Sequence, residues 1–339
     1  MSISYCLKKS LIYSILKRKQ KKSPFDIEKS EHFELPADAE TNFNNSYYFS
    51  AHHANGESLF LRLGLRGNGE REIWFAYRDS EHLYSCPMSL CTTNNSPIKV
   101  FCEETGSKWK ILFDGVLECL DSPAEKKKAH FEGTFIATAP IFDFFLHSNL
   151  KPMAKAFAIE KWNRNFFKEV QKNNQTHYEQ PGILTGELTI GDEKKSIDMP
   201  ALRDHSFGKR DWNYMDKHVW LMALLENGDA LNISMVSYPA IRNICVGNLY
   251  QNGNSISAIE IHTPNDLIGN GKGADTFTVH CRLENGDNLL IKVTREIHIP
   301  YFFSDNQYQL LEGIGRFMVN DIKARGIIEF GFNKDLKRW

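Results

Sequence analysis

The sequence predicts an all-β protein made of two consecutive antiparallel domains. Short apolar segments follow one another from Tyr47 onward, and several alternate with period two, as in Leu59, Leu61, Leu63 and Leu65. Asn-Gly steps separate many of these segments, and such a step favours the tight turn of a β-hairpin. The chain of 339 residues is long enough for two domains of ordinary size.

The composition is that of a globular protein, but its charge is unevenly distributed. Hydrophobic residues make up 42% of the chain and charged residues 24%, which excludes disordered and collagen-like chains. The net charge is −1, yet residues 1–22 carry seven basic side chains and no acidic one, so the rest of the chain carries −8. A body of that sign predicts no binding to nucleic acid.

Residues 1–35 are predicted to be a basic tail and a linker. The tail repeats apolar residues at three- and four-residue spacing, at Leu7, Leu11, Ile12, Ile15 and Leu16, so it is amphipathic if it is helical. Peripheral contact of residues 1–22 with a membrane surface and a frayed tail in solvent both remain open.

The first predicted β domain covers residues 36–200, and one helix interrupts its strands. Residues 151–173 place Met153, Phe157, Trp162 and Val170 near one helical face, with charged residues opposite. We expect this single amphipathic helix to pack on the outside of a sheet or to plug it.

The second predicted β domain covers residues 201–339. Apolar segments recur in pairs around Asn-Gly turns, which predicts a series of hairpins. The predicted strands are Val219–Leu225, Ala230–Val236, Ile244–Tyr250, Ser255–His262, Phe277–Leu283, Asn288–Glu296 and Arg325–Phe332.

The densest chemistry lies in residues 200–212, between β segments. This stretch combines two acids, two arginines, a lysine, a histidine and two aromatic residues. A linker has no need for such a combination, so the stretch is the first candidate for a functional site.

The same stretch resembles the carotenoid 1,2-hydratases (hydroxyneurosporene synthases) and the related AttH-like proteins. It is most similar to an uncharacterised subgroup with the pattern Arg-Asp-x-Ser-aromatic-Gly-x-Arg-Asp-Trp, met here from Arg203 to Trp212. Members of that subgroup are also found fused to phosphoenolpyruvate-synthase-like domains. Further matching pieces are Ser46–Phe49, Arg66–Asn68, Trp109 with Gly115, His177–Gly182, Glu312–Phe317 and Gly326–Glu329. The resemblance implies two lipocalin-like β-barrels with a cavity between or within them.

The resemblance also implies a hydrophobic, unsaturated ligand that is terpenoid, polyene or lipid-like. Acid-assisted hydration, isomerisation or cyclisation of that ligand needs a proton donor, and Asp204 is the candidate because a shielded carboxyl group holds its proton to higher pH. His205 is the candidate that orients Asp204 or directs water. The hydratases carry a tryptophan where this chain has Phe207, which keeps an aromatic ring but departs from their pattern.

Aromatic rings would bind such a ligand and stabilise a carbocation through cation–π attraction. The candidate ligand-binding rings are those of Phe207, Trp212, Tyr214 and Trp220.

Charged neighbours of Asp204 have structural interpretations. An ion pair of Asp204 with Arg203 or Arg210 could form the corner between the two domains, with Asp211 beside it. Glu179 could face the same two arginines. A non-enzymatic carrier of a lipid-like ligand, and a membrane-docking protein that acts through its basic tail, are the alternatives to an enzyme.

No metal site and no cofactor are expected. His52 and His53 are adjacent on a predicted strand and would point to opposite faces, and neither a P-loop nor a G-x-S-x-G motif occurs. The seven cysteines contain no CxxC pair, which favours free thiols in a reducing, intracellular compartment.

Overall fold

The computed structural model describes residues 3–23, 25–36, 38–92, 95–122, 125–170, 175–269, 271–303 and 306–335. Helices are few and strands dominate. The helices are α1 (Ile3–Lys22), α2 (Ile27–Glu31), α3 (Lys151–Ile159) and α4 (Arg164–Val170). The strands are β1 (Phe43–His52), β2 (Ser58–Arg66), β3 (Glu70–Arg78), β4 (Leu83–Thr92), β5 (Ile98–Glu104), β6 (Lys108–Cys119), β7 (Lys126–Ala137), β8 (Phe142–Asp143), β9 (Gln175–Ile190), β10 (Glu193–Lys209), β11 (Lys217–Leu225), β12 (Ala230–Tyr238), β13 (Ile241–Gln251), β14 (Asn254–His262), β15 (Thr276–Leu283), β16 (Asn288–Phe303), β17 (Tyr308–Val319) and β18 (Ile322–Asn333).

The chain divides into two compact units, and neither is one continuous stretch of sequence. The first-barrel unit consists of Asp26–Ile141 and Gln175–Arg210. The second-barrel unit consists of Met1–Phe25, Phe142–Asn174 and Asp211–Trp339. The sequence placed a boundary between residues 200 and 201, but β10 runs through this point because its pairing with β9 continues as far as Gly208.

Eight strands of the first-barrel unit close into an antiparallel barrel in the order β1-β2-β3-β4-β6-β7-β9-β10, and β10 pairs back onto β1. Strand β5 pairs with β6. Alternate residues of each strand fill the interior, so Leu59, Leu61 and Leu63 lie together in one buried core, as their spacing predicts.

Strands β11 to β18 of the second-barrel unit close into a second antiparallel barrel in chain order. Val219, Leu221 and Ala223 of β11 point into its core. The predicted all-β class with two lipocalin-like barrels is therefore confirmed.

The hairpin turns of the second barrel use glycine in two ways. Asn252 and Gly253 both have positive φ, at 52° and 74°, as a type I′ turn requires. At Asn227-Gly228 only the glycine has positive φ, at 89°. Both Asn-Gly steps lie at turns, as predicted. Only the turn at Asn252-Gly253 has the positive φ at both residues that type I′ requires.

The predicted helix over residues 151–173 is instead two helices, α3 and α4, and residues 171–173 lie outside the described part of the chain. The first helix ends at Ile159, because the backbone of the following residue, Glu160, is extended. Asn163 then caps the second helix, since its side-chain oxygen accepts a hydrogen bond of 2.8 Å from the Phe166 amide.

The basic N-terminal segment is a helix that belongs to the second-barrel unit. Ile12 and Leu16 of α1 are buried in a cluster with Leu150 and Phe157. The Gln20 side-chain amide donates to the carbonyl oxygens of Phe145 and Ser148. No helix in the described part of the chain is long and apolar enough to cross a bilayer.

A buried ion pair ties α2 to the first barrel. The Glu31 side chain is wholly buried, and one of its oxygens lies 2.8 Å from the Arg203 guanidinium. Arg203 also donates to the Gln180 side-chain oxygen at 2.9 and 2.7 Å, and its guanidinium lies over the Trp109 ring at 4.9 Å. The sequence offered Asp204 as an ion-pair partner of Arg203. In the structure, the carboxylate that pairs with Arg203 is that of Glu31.

We expect Arg203→Met to lower the free energy of unfolding by about 3–5 kcal/mol, because it leaves the Glu31 carboxylate buried without its cation. Denaturant-induced unfolding measures this loss. The double variant Glu31→Gln/Arg203→Met serves as control and recovers part of the stability, since it buries no unpaired charge. A single variant within about 1 kcal/mol of the wild type would contradict the assignment.

Candidate functional site

The dense motif lies on a strand, and strand geometry divides it between two faces. Successive side chains of β10 point to opposite sides of the barrel wall. Arg203 and His205 continue the inward row of Met199 and Ala201, whereas Asp204 lies on the outer face. His205 therefore does not orient Asp204, and this predicted role is wrong.

His205 belongs to an inward polar network. It is fully buried, with Nδ1 2.5 Å from the Tyr178 hydroxyl and Nε2 2.7 Å from the Asn45 side-chain oxygen. Burial lowers its pKa well below the ordinary histidine value, and the positive charge of Arg203 adds to the effect. The Tyr178 hydroxyl donates its own proton to the Glu31 carboxylate at 2.8 Å. These contacts hold His205 within the inward network, which is a structural role.

Asp204 contacts two other titratable side chains on the outer face. It lies directly opposite Glu179 in the register of β9 and β10, and its Oδ2 contacts Nε2 of His177. The same His177 nitrogen lies 3.9 Å from Oε1 of Glu179. These three residues form the outer-face cluster.

Burial differs across the outer-face cluster. The Glu179 side chain is fully buried and that of Asp204 is 10% exposed, whereas that of His177 is 29% exposed. Glu179 and Arg203 point to opposite faces, so the predicted approach of Glu179 to this arginine does not occur.

The remaining motif residues hold the chain in place. Arg210 donates to the Ser206 hydroxyl at 2.9 Å, and a carboxylate oxygen of Asp211 accepts from the Asn213 amide at 2.9 Å. The Phe207 ring stacks on that of Phe33 at 4.1 Å. The structural roles predicted for Arg210 and Asp211 stay predictions.

The other predicted aromatic rings lie in the second-barrel unit. Trp212 stacks on Phe303 at 4.4 Å, Tyr214 stacks on another tyrosine at 5.7 Å, and the Trp220 nitrogen donates to a buried asparagine at 3.2 Å. Each of the three rings thus has a different partner.

A histidine group that the sequence analysis missed lies beside Trp212. Nε2 of His218 contacts Oε1 of Glu329, and Nδ1 lies 2.7 Å from the Tyr308 hydroxyl. Two signals could have revealed it. His218 is two residues before Trp220 and shares its strand face, and Glu329 ends one of the segments that carry the resemblance.

A cavity of about 480 Å³ opens at the mouth of the second barrel, next to α3. Apolar side chains of Val219, Met235, Leu267 and Ile268 form its floor. Lys217 lies at its rim, where burial lowers the pKa of the ammonium group. None of the predicted site residues lines this cavity, because its lining comes from the ends of β11 to β14, the loop after β14 and α3.

Solved structures with the same fold include three whose names bear on function. A protein assigned as AttH from Nitrosomonas europaea is 13% identical, with a TM-score of 0.50 over 91% of this chain and 98% of the other. Kievitone hydratase from Nectria haematococca is 11% identical, with a TM-score of 0.54 over 91% and 96%. CghA with Sch210972 is 9% identical, with a TM-score of 0.55 over 86% and 88%. At these identities the likeness shows the fold alone, and it agrees with the fold implied by the AttH-like resemblance.

No curated protein sequence matches the chain. Membership of the subgroup that shares the Arg203–Trp212 pattern, and its fusion partners, stay predictions. A family model matches residues 28–334, almost the whole length of the chain. The chain therefore belongs to the DUF7064 family, a domain of unknown function.

Proposed function

We propose that the protein binds a hydrophobic, unsaturated small molecule, terpenoid, polyene or lipid-like, at the mouth of its second barrel. The observation that supports this is the cavity of about 480 Å³ with its apolar floor. Pockets for small ligands typically measure about 300–1,000 Å³ and have mainly apolar linings. Eight-stranded barrels can hold one small ligand in this way.

The cavity favours a carrier over an enzyme. Its two lining carboxylates, Glu160 and Glu260, are already engaged: Glu160 accepts from the Arg242 amide at 3.2 Å and Glu260 pairs with Arg282 at 3.1 Å. Asp204 is not part of the lining. The cavity can thus enclose a ligand, but among the described residues that line it we find no unengaged carboxyl group that could donate a proton to the ligand.

We expect Cys245→Trp to reduce ligand retention several-fold, because Cys245 lines the cavity and an indole ring would fill part of it. Purified protein is extracted with organic solvent, and the hydrophobic molecules are quantified by mass spectrometry. Val246→Trp is the matched control, since the next residue of β13 points to the other face. Equal retention by both variants, or no bound molecule in the wild type, would argue against this cavity as the binding site.

Acid-assisted hydration, isomerisation or cyclisation is the second candidate function. It is favoured by the state of Asp204, which is shielded from solvent and contacts a histidine rather than an arginine. His177, which is more exposed, could carry a proton between solvent and Asp204. One solved structure with this fold is named a hydratase, which gives the candidate further support.

For this second candidate we expect Asp204→Asn to abolish turnover without loss of binding. Removal of a general acid slows a reaction by about 10²–10⁴-fold, so the variant should retain the unreacted molecule where the wild type carries the product. Mass spectrometry of the extracts detects this change, which for hydration is one water. Asp211→Asn is the control, as a carboxylate oxygen of Asp211 accepts from the backbone amide of Asn213. Identical extracts from wild type and Asp204→Asn would exclude the role.

We also propose that α1 contacts an anionic membrane surface inside the cell. Leu7, Leu11 and Ile15 are 67%, 55% and 49% exposed, although they lie on a helix that packs through Ile12 on its other side. Continued at helical spacing, the same exposed face carries Arg18 and Lys22. A helix with aliphatic and basic residues on one face is suited to lie in the interface of an anionic bilayer. The reducing compartment proposed for the chain rests on its cysteine pattern.

We expect the full chain to sediment with vesicles that contain phosphatidylserine, and the triple variant Leu7→Ser/Leu11→Ser/Ile15→Ser to lose this binding. The variant removes the apolar side chains that would insert into the bilayer but keeps the net charge of α1. It therefore distinguishes apolar insertion from electrostatic attraction to the anionic lipid. Vesicles of phosphatidylcholine alone are the control. Wild-type protein that stays in the supernatant with both kinds of vesicle would refute the contact.

A further inference from the structure

We propose that the outer-face cluster of His177, Glu179 and Asp204 binds a divalent first-row metal cation, and that it binds Zn²⁺ more tightly than Mn²⁺. The proposal concerns the first-barrel unit and does not depend on ligand binding at the second barrel. It departs from the expectation, drawn from the sequence, that the chain has no metal site.

Strand register brings the three side chains to one place. His177 and Glu179 are two residues apart on β9 and so share a face, and Asp204 is the direct cross-strand partner of Glu179. Cβ atoms of such partners lie about 4.5–5.5 Å apart. The paired barrel strands hold this arrangement without help from a loop.

The donor atoms are close enough to share one ion. One nitrogen of His177 and one carboxylate oxygen from each acid all lie within 4.8 Å of one another, and the His177–Glu179 pair is separated by 3.9 Å. Ligand atoms at about 2.0–2.2 Å from a zinc ion lie at most about 4.4 Å apart. Ligand atoms of a tetrahedral zinc site lie roughly 3.4 Å apart, so rotation of the His177 and Asp204 side chains away from each other would make room for the ion.

Electrostatics also favours a cation at this point. Two carboxylates directly opposite each other on adjacent strands repel, and burial of both raises the cost. The Glu179 side chain is fully buried, and Oδ2 of Asp204 is a buried atom that contacts His177.

The donor set indicates the class of metal. One imidazole and two carboxylates suit Zn²⁺, Mn²⁺ or Fe²⁺, while Mg²⁺ and Ca²⁺ prefer oxygen ligands throughout. Among these the order of affinity for a given site places Zn²⁺ above Mn²⁺. Three protein ligands leave at least one position for water, as in catalytic zinc sites, and the exposed edge of His177 is the side from which ion and water can enter.

A bound cation would give Asp204 a different task from proton donation. A carboxylate that coordinates a metal must stay ionised, so Asp204 cannot then act as a general acid. Water held by the ion would be the acidic group instead, because coordination to zinc lowers its pKa to about 7.

Isothermal titration of the full chain, without an affinity tag and after treatment with a chelator, tests the proposal with ZnCl₂ and MnCl₂. We expect one Zn²⁺ per chain and an upward shift of the melting temperature, since a ligand that binds only the folded state stabilises it. Glu179→Gln and Asp204→Asn should each weaken Zn²⁺ binding by roughly tenfold or more and reduce the thermal shift. Because both variants remove a buried negative charge, each should fold in the absence of metal.

A second group of potential ligands supplies the control. Donor atoms of His82, Cys119 and Asp121 also lie within 4.8 Å of one another, but His82 and Asp121 are exposed and Asp121 accepts from the Leu83 amide. We expect Asp121→Asn to bind Zn²⁺ like the wild type. The proposal fails if the wild type binds no Zn²⁺, or if Zn²⁺ affinity falls for Asp121→Asn and not for the cluster variants.

Discussion

The alternation of side chains along β10 is the constraint on which the arrangement of this protein's motif depends. Because β10 pairs with β1 on one side and β9 on the other, it cannot rotate to bring Arg203, Asp204 and His205 to one face. Polar side chains that are adjacent in the sequence are therefore separated into two groups. One group lies within the first barrel, and the other lies on its outer face.

The inward group, Arg203 and His205, makes buried contacts that stabilise the first barrel. Arg203 links Glu31 with Gln180, and Gln180 in turn donates to the carbonyl oxygens of Gly106 and Ala139. Three stretches distant in sequence thus depend on one buried cation, whose removal leaves several polar groups unsatisfied. The low pKa of His205 follows from the same enclosure, and a neutral imidazole suits a network that already contains one positive charge.

The outward group and the second-barrel cavity present different chemistry. His177, Glu179 and Asp204 concentrate donors that a cation or a proton can use, whereas the cavity concentrates apolar surface and has its carboxylates engaged. We therefore propose ligand retention at the second barrel and metal binding at the first. Because the cavity and the outer-face cluster lie in different units, variants of one leave the residues of the other unchanged.

Local patterns in the sequence determined the class of fold. Period-two spacing of Leu59, Leu61 and Leu63 predicted strands, and Asn252-Gly253 predicted a hairpin, because strand alternation and positive φ are properties of a few neighbouring residues. The Arg203–Trp212 motif likewise identified the most polar strand. The boundary at residue 200 and the unbroken helix over residues 151–173 were not predicted correctly, since both depend on how far distant segments continue to pair or pack.

Only the tertiary structure decided which side chains meet. His177 and Asp204 are far apart in the chain and contact each other through the register of β9 with β10. Glu31 reaches Arg203 from a segment that the sequence assigned to a linker, and the cavity is lined by the ends of four strands and a helix. Register between strands and the closure of a barrel are long-range choices, and a shift of one residue would turn every one of these side chains to the other face.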